Sequence, residues 1–173
     1  WDTIQRESIP DCYADLGYRT VSTNPCGEIP LCPYDSCRLL AINLYSYVEN
    51  PFTAQARFNF DLFRKHVGLA QRIMDDIIDL EIEKIEKILD KIKSDPEDNI
   101  VKRTEYELWD KIMNKTLKGR RTGVGVTAEG DMLAALGLRY RKEEAKEKKK
   151  KMHSVVAVEA YRFSDGSYLE CQD

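Results

Sequence analysis

Apolar and polar residues alternate most regularly between Leu62 and Lys93, where the spacing predicts a long helix. Ile78, Ile82, Ile85, Leu89 and Ile92 step by 4, 3, 4 and 3, a narrow apolar seam on one helix face. Glu81, Glu83, Lys84, Glu86, Lys87, Asp90 and Lys91 occupy the other faces. Asn59-Phe60-Asp61 reads as the cap region, with Asp61 as N-cap. A solvated loop over 93–99 leads to a second helix, Glu105 to Lys118, with Leu108, Trp109, Ile112, Met113 and Leu117 as its apolar face. The seam is shorter than the roughly 3–4 heptads a coiled coil uses, so it is expected to pack on its own domain. A homodimer built on that seam is the second reading.

Elsewhere the pattern is shorter-ranged. Gly17 to Val21 reads as an extended entry to a proline-rich loop over 22–37, where Pro25, Pro30 and Pro33 exclude regular helix. Leu39 to Leu44 is a continuous apolar run, and periodicity does not separate a buried strand from a buried helix there. Asn50-Pro51-Phe52 interrupts it. Val124 and Val126 alternate with Gly123 and Gly125, as in a strand that a neighbour approaches closely. Thr127 is expected to cap a helix over 128–136, with Gly137 at its C-terminal end. Two arginines before Gly-Val-Gly also suggest a phosphate loop, but the Lys-Ser/Thr of a P-loop is missing. Residues 163–170 contain Asp165-Gly166 and read as a hairpin with an Asp-Gly turn.

Composition narrows the class. The chain has 173 residues, 33% of them charged and 42% hydrophobic, enough for one domain with a real core. Formal net charge is −3, so no global basic field favours nucleic acid. The lysine run 148–151 is balanced by Glu143, Glu144 and Glu147 and reads as a solvated helix face. No apolar run approaches the roughly 20 residues of a membrane span. The chain starts Trp1-Asp2-Thr3, without initiator Met or leader, and is read as a fragment or processed product. Its five cysteines, Cys12, Cys26, Cys32, Cys37 and Cys171, are odd in number and lack zinc-ribbon spacing; His66 and His153 lie far from them. No metal site is expected, and reactive thiols in a reducing cytoplasm fit better. Cys12 is read as a small buried side chain.

The chemistry concentrates in Asn24-Pro25-Cys26-Gly27-Glu28. Pro25 biases Asn24 toward extended backbone, and Gly27 clears space beside the thiol. If the segment is extended or tightly looped, Asn24, Cys26 and Glu28 project to one side. That would converge an amide, a sulfur capable of radical or redox chemistry, and a general acid/base on one bound molecule. Pro25 and Gly27 would line the same pocket.

The segment NPCGEIPLCPYDSCRLLAINLYSYV, in which Cys37 follows Cys26 by eleven residues, resembles the active-site loop of ribonucleotide reductases, most closely the adenosylcobalamin-dependent (class II) enzymes. WDTIQRESIPDCYADLGYRT upstream and GRRTGVGVTAEGDMLAALGLRY downstream extend the resemblance over residues 1–162. It implies an α/β fold, helix-rich here, forming part of a ten-stranded α/β barrel with a finger loop over 22–37 and a divergent tail over 163–173.

The resemblance also implies roles. A thiyl radical on Cys26 takes the 3′ hydrogen of a ribonucleotide. Glu28 takes the 3′-hydroxyl proton, and Asn24 binds substrate hydroxyls. Cys37 is one of two cysteines that reduce the 2′ position and end as a disulfide; its partner lies far upstream in the family and is absent here. The implied cofactor is adenosylcobalamin, although no cobalamin-contacting motif is recognisable. Implied partners are the rest of the reductase chain and a dithiol reductant such as thioredoxin, with the segment inactive alone. Two other readings are a helical interaction module using the Ile78–Ile92 seam and a thiol-disulfide protein using Cys32 and Cys37.

Overall fold

The computed structural model describes residues 17–27 and 29–170, with backbone alone for 165–170. The expectations for Cys12, Glu28 and Cys171 fall outside the described residues. In chain order the elements are β1 (Ser22–Thr23), β2 (Pro30–Leu31), β3 (Arg38–Asn43), a 3₁₀ turn (Leu44–Tyr47), β4 (Val48–Glu49) and β5 (Arg57–Phe58). Helices α1 (Phe60–Ser94) and α2 (Asn99–Gly119), strand β6 (Thr122–Thr127), and helices α3 (Glu129–Ala135) and α4 (Glu143–Glu170) follow. The strands pair two by two, β1 with β2, β3 with β6 and β4 with β5. This is a helix-rich α/β chain, and the described residues close no barrel. None of the described helices is long and apolar enough to cross a membrane.

The chain divides into two compact units. The first comprises residues up to 38 together with 76–123. Its centre is a helical hairpin made by the C-terminal part of α1 and by α2. Ile85 and Leu89 pack with Met113, and Ile82, Trp109 and Ile112 close around them. Ile78 and Ile92 are also buried, so the apolar seam is occupied inside its own unit. Two details of α2 differ from the sequence expectation. It starts at Asn99, because the Asp98 side chain accepts the Ile100 N–H at 2.8 Å and caps the helix early. Leu108 and Leu117 are exposed while Thr116 is buried, so the apolar face is rotated toward Met113. Arg120 ends α2 in the left-handed region at φ 39°, its N–H bonded to the Thr116 carbonyl.

The second unit comprises residues 39–75 and 124–173. The apolar run at 39–44 is a strand that passes into the 3₁₀ turn. Its core gathers Ile42, Leu44, Tyr47, Phe58, Phe63, Val67, Met132, Leu133, Ala145 and Met152. Tyr47, Phe58 and Phe63 stack at tilted to edge-on angles with centroids 5.1–5.8 Å apart. The Tyr47 hydroxyl meets His66 Nδ1 at 3.0 Å. Asn59, not Asp61, caps α1: its side-chain oxygen accepts the Leu62 N–H at 2.9 Å. Asp61 lies inside the first turn, where its charge still suits the helix dipole.

Three further features differ from the sequence expectation. Thr127 does not cap α3; Ala128 holds the cap position at φ 58° with no side-chain bond. Gly137 does end that helix, at φ 70°, with its N–H on the Ala134 carbonyl. A Cβ added at Gly125 would meet the Leu40 carbonyl at 4.0 Å, ordinary contact, so close approach by β3 does not require that glycine. Residues 163–170 continue α4 rather than forming a hairpin. Extending an existing helix adds one bond per residue fixed, which outweighs the roughly 1 kcal/mol cost of Gly166. Phe163 also lies so close over Gly68 that a Cβ there would overlap its ring.

Leu133 is 1% exposed in this core. Leu133→Ala is expected to lower the unfolding free energy by about 2–5 kcal/mol in urea titration.

Candidate active site

Residues 21–31 form a short antiparallel hairpin. Ser22 pairs with Leu31 and Thr23 with Pro30, and the Val21 N–H reaches the Leu31 carbonyl at 2.9 Å. The tip is a β-turn over Asn24-Pro25-Cys26-Gly27, closed by the Gly27 N–H on the Asn24 carbonyl at 3.0 Å. Pro25 supplies the fixed φ wanted at its second position. Gly27 takes φ +81°, which a residue with a Cβ resists. Asn24 then bonds Ile29 twice. Its N–H donates to the Ile29 carbonyl at 3.1 Å, and its side-chain oxygen accepts the Ile29 N–H at 3.0 Å.

Asn24, Pro25, Cys26 and Gly27 thus share one hairpin tip, and Cys26 is exposed on it. The route differs from simple strand alternation, because Cys26 sits in a turn rather than an extended run. Cys37 is carried separately, half-buried just before β3, with its thiol 3.6 Å from the Arg38 carbonyl.

The segment between these two thiols belongs to a group of side chains that the sequence pattern does not connect. Cys32-Pro33-Tyr34-Asp35 forms a second turn, the Asp35 N–H bonding the Cys32 carbonyl at 3.2 Å. Tyr34 is forced to φ 63°, where a side chain costs about 1–2 kcal/mol. Cys32 is 4% exposed, and its thiol donates to Asp35 Oδ2 at 3.0 Å. Arg121, at the end of α2, pairs its Nε with the Asp35 carboxylate. Its Nη1 donates to the Pro30 carbonyl at 3.2 Å and its Nη2 to the Cys32 sulfur at 3.6 Å. Farther along, Arg38 pairs with Glu81 and donates to the Ser36 carbonyl at 3.2 Å.

These contacts decide two of the readings. Burial pushes the Cys32 thiol above its ordinary pKa, helped by the hydrogen bond and charge of Asp35 and opposed by Arg121. A redox-active thiol needs the opposite shift, so the Cys32–Cys37 disulfide reading is not supported. Arg121 is committed to loop atoms and Arg120 to Asp79 at 2.7 Å, so the two arginine side chains of the Arg-Arg-Thr-Gly segment serve structural contacts, which disfavours the phosphate-loop reading. Among the described residues no group of three metal-ligating side chains occurs. A shallow depression in the first unit is lined by Ile92, Lys93, Lys102, Arg103, Tyr106 and Glu107, none of them from the loop.

Residues 16–166 match the family model described as "Ribonucleotide reductase, barrel domain". Among curated proteins, the chain is 34% identical over 146 residues to a "Vitamin B12-dependent ribonucleoside-diphosphate reductase" of Thermoplasma acidophilum, covering 83% of this chain and 15% of that protein. A protein of the same description from Mycobacterium tuberculosis (strain CDC 1551) is 34% identical over 127 residues, covering 73% of this chain and 14% of the relative. The chain therefore spans about a seventh of the length of these relatives. No solved structure matches.

Two outcomes follow from the loop geometry. Asn24→Ala removes the acceptor for the Ile29 amide, and exchange of that amide with deuterated water, followed by NMR, is expected to accelerate about fivefold for a bond worth ~1 kcal/mol. The Cys32 thiol has its pKa raised in the fold from the ordinary 9.0. The folded chain therefore holds this proton more tightly than the unfolded one, and stability falls as pH rises above about 9. Urea titrations of Cys32→Ser across that range are expected to show a shallower fall than those of the unaltered chain.

Proposed function

Since the chain belongs to the ribonucleotide reductase barrel-domain family, we propose that it is a segment of an adenosylcobalamin-dependent ribonucleotide reductase catalytic subunit. It would supply the loop on which a ribonucleoside di- or triphosphate loses its 2′-hydroxyl. The observation that carries this reading is a family match spanning residues 16–166, with Cys26 exposed at the tip of a hairpin that its own neighbours hold closed. In this reading β3 and β6 are barrel strands, residues 1–162 belong to the barrel, and 163–173 diverge from it.

The thiyl form of Cys26 would abstract the 3′ hydrogen atom, making an S–H bond as the C–H bond breaks. An exposed sulfur at a turn can approach a sugar without rearrangement of the loop backbone. Glu28 would accept the 3′-hydroxyl proton. Asn24 spends its side-chain oxygen on Ile29, and its amide N–H groups would donate to the ribose hydroxyls. Pro25 and Gly27 would offer backbone against the same substrate. Cys37 and a second cysteine elsewhere in the enzyme would give up two hydrogens in forming a disulfide as the 2′ carbon is reduced. A dithiol protein such as thioredoxin would then restore them. Adenosylcobalamin would supply the initial radical chemistry. No cobalamin-contacting motif is recognisable in the loop sequence, so none of its residues is assigned to hold it. A cytoplasmic setting suits thiols that must cycle through reduction.

The Ile78–Ile92 seam is filled within its own unit, which disfavours the interaction-module reading; a homodimer through other surfaces is compatible with a reductase.

Turnover tests this reading. The complete enzyme containing this segment is expected to make deoxyribonucleotide with adenosylcobalamin and dithiol. Cys26→Ser should lower the rate by about 10³-fold or more, as for loss of a nucleophilic or radical centre. The isolated 173-residue chain should show no turnover. A Cys26→Ser enzyme that retains ordinary turnover would overturn the proposal.

A further inference from the structure

Asp35 and Arg121 do not belong to the hairpin tip, yet their side chains are nearly enclosed. The Asp35 side chain is 3% exposed and that of Arg121 is 11% exposed. Ionised side chains are rarely so buried unless their partners are arranged to hold them. Here the guanidinium spans three loop atoms: the Pro30 carbonyl in β2, the Cys32 sulfur and the Asp35 carboxylate. The Cys32 thiol returns to Asp35 at 3.0 Å. The enclosed segment is the turn that keeps Tyr34 at φ 63°. Such a backbone persists only where its surroundings over-determine it. Two residues past Asp35 comes Cys37.

We propose that Arg121 is a positioning residue: through Asp35, Cys32 and the Pro30 carbonyl it locks the 30–35 segment, fixing where Cys37 stands after the hairpin and keeping Cys32 out of the thiol chemistry on either side. A loop that runs radical and disulfide steps on two cysteines is vulnerable to a third between them. Cys32 is that third cysteine, and its hydrogen-bonded burial makes it a packing group. A fork of donors in one plane is suited to this task, because lysine has no such fixed geometry. The left-handed residue Arg120 ends α2 immediately before Arg121, so the helix terminus aims the guanidinium at the loop.

The proposal takes the roles of Cys26 and Cys37 from the reductase reading, but its test uses no turnover, so each can fail without the other. The test is alkylation of the native 173-residue chain by iodoacetamide, quantified peptide by peptide by mass spectrometry. Far-UV circular dichroism reports on the helices. In the unaltered chain Cys26 is expected to label on the order of 100-fold faster than Cys32, whose modification needs local opening. Arg121→Gln is expected to raise the Cys32 rate roughly tenfold, the effect of losing hydrogen bonds to a charged group, and to change the Cys37 rate while Cys26 stays constant. Arg121→Lys should not restore the original pattern. Asp35→Asn keeps the shape and should also release Cys32; it decides the matter if Arg121→Gln loses its helical signal. An Asp35→Asn chain with the original Cys32-to-Cys26 ratio would overturn the lock. So would an Arg121→Lys chain that labels like the unaltered one. Release of Cys32 with no change at Cys37 would overturn the positioning role.

Discussion

A two-stranded hairpin with only two paired positions per strand is marginal in water by itself. The 21–31 hairpin therefore depends on bonds beyond its ladder, and the double contact between Asn24 and Ile29 is the decisive one. It closes the tip across the proline-containing turn and leaves the Cys26 side chain facing solvent. At the base, a guanidinium donates to the Pro30 carbonyl. The loop is thus tied at both ends by charge-assisted or side-chain hydrogen bonds rather than by apolar packing. That suits a segment whose tip, in the proposed function, meets a polar substrate. An apolar anchor would have demanded burial of the residues that need to be reached.

The same division of labour appears in the cysteines. Three described thiols lie within twelve residues, in three environments: Cys26 exposed, Cys37 half-buried and Cys32 buried beside a carboxylate. Reactivity follows access and thiolate character, so the backbone sorts chemically identical groups into different environments. The two adjacent arginines are sorted likewise. Arg120 reaches Asp79 on the helical hairpin and Arg121 reaches the loop, the chain turning at Arg120, which is itself left-handed.

Much of this was legible in the residues, for identifiable reasons. The Ile78–Ile92 seam repeats at helical spacing over several turns, and a signal that long survives any local detail. The Asn24–Gly27 turn could be read from Pro25 and Gly27, whose backbone preferences are intrinsic. The errors fall where two local signals compete or where a decision depends on contacts distant in sequence. Asp61 has good cap chemistry, but Asn59 reaches the Leu62 N–H first. Asp165-Gly166 favours a turn in isolation and is overridden by a helix already running from Glu143. The Asp35–Arg121 pair spans nearly half the chain and carries no spacing rule. The only hints were an acidic residue inside PYDSC and an arginine doublet ahead of alternating glycines, which invited a phosphate reading instead. The run at 39–44 stayed ambiguous until its pairing with β6 made it a strand.

In the proposed chemistry, the sulfur at the hairpin tip abstracts hydrogen from a sugar. The most direct test of that step is turnover of a ribonucleotide carrying deuterium at the 3′ carbon by the complete enzyme that contains this segment. A primary isotope effect on deoxyribonucleotide formation, lost together with turnover when Cys26 is replaced by serine, is the predicted result. Product formed at an unchanged rate from the deuterated substrate by the serine-substituted enzyme would contradict it.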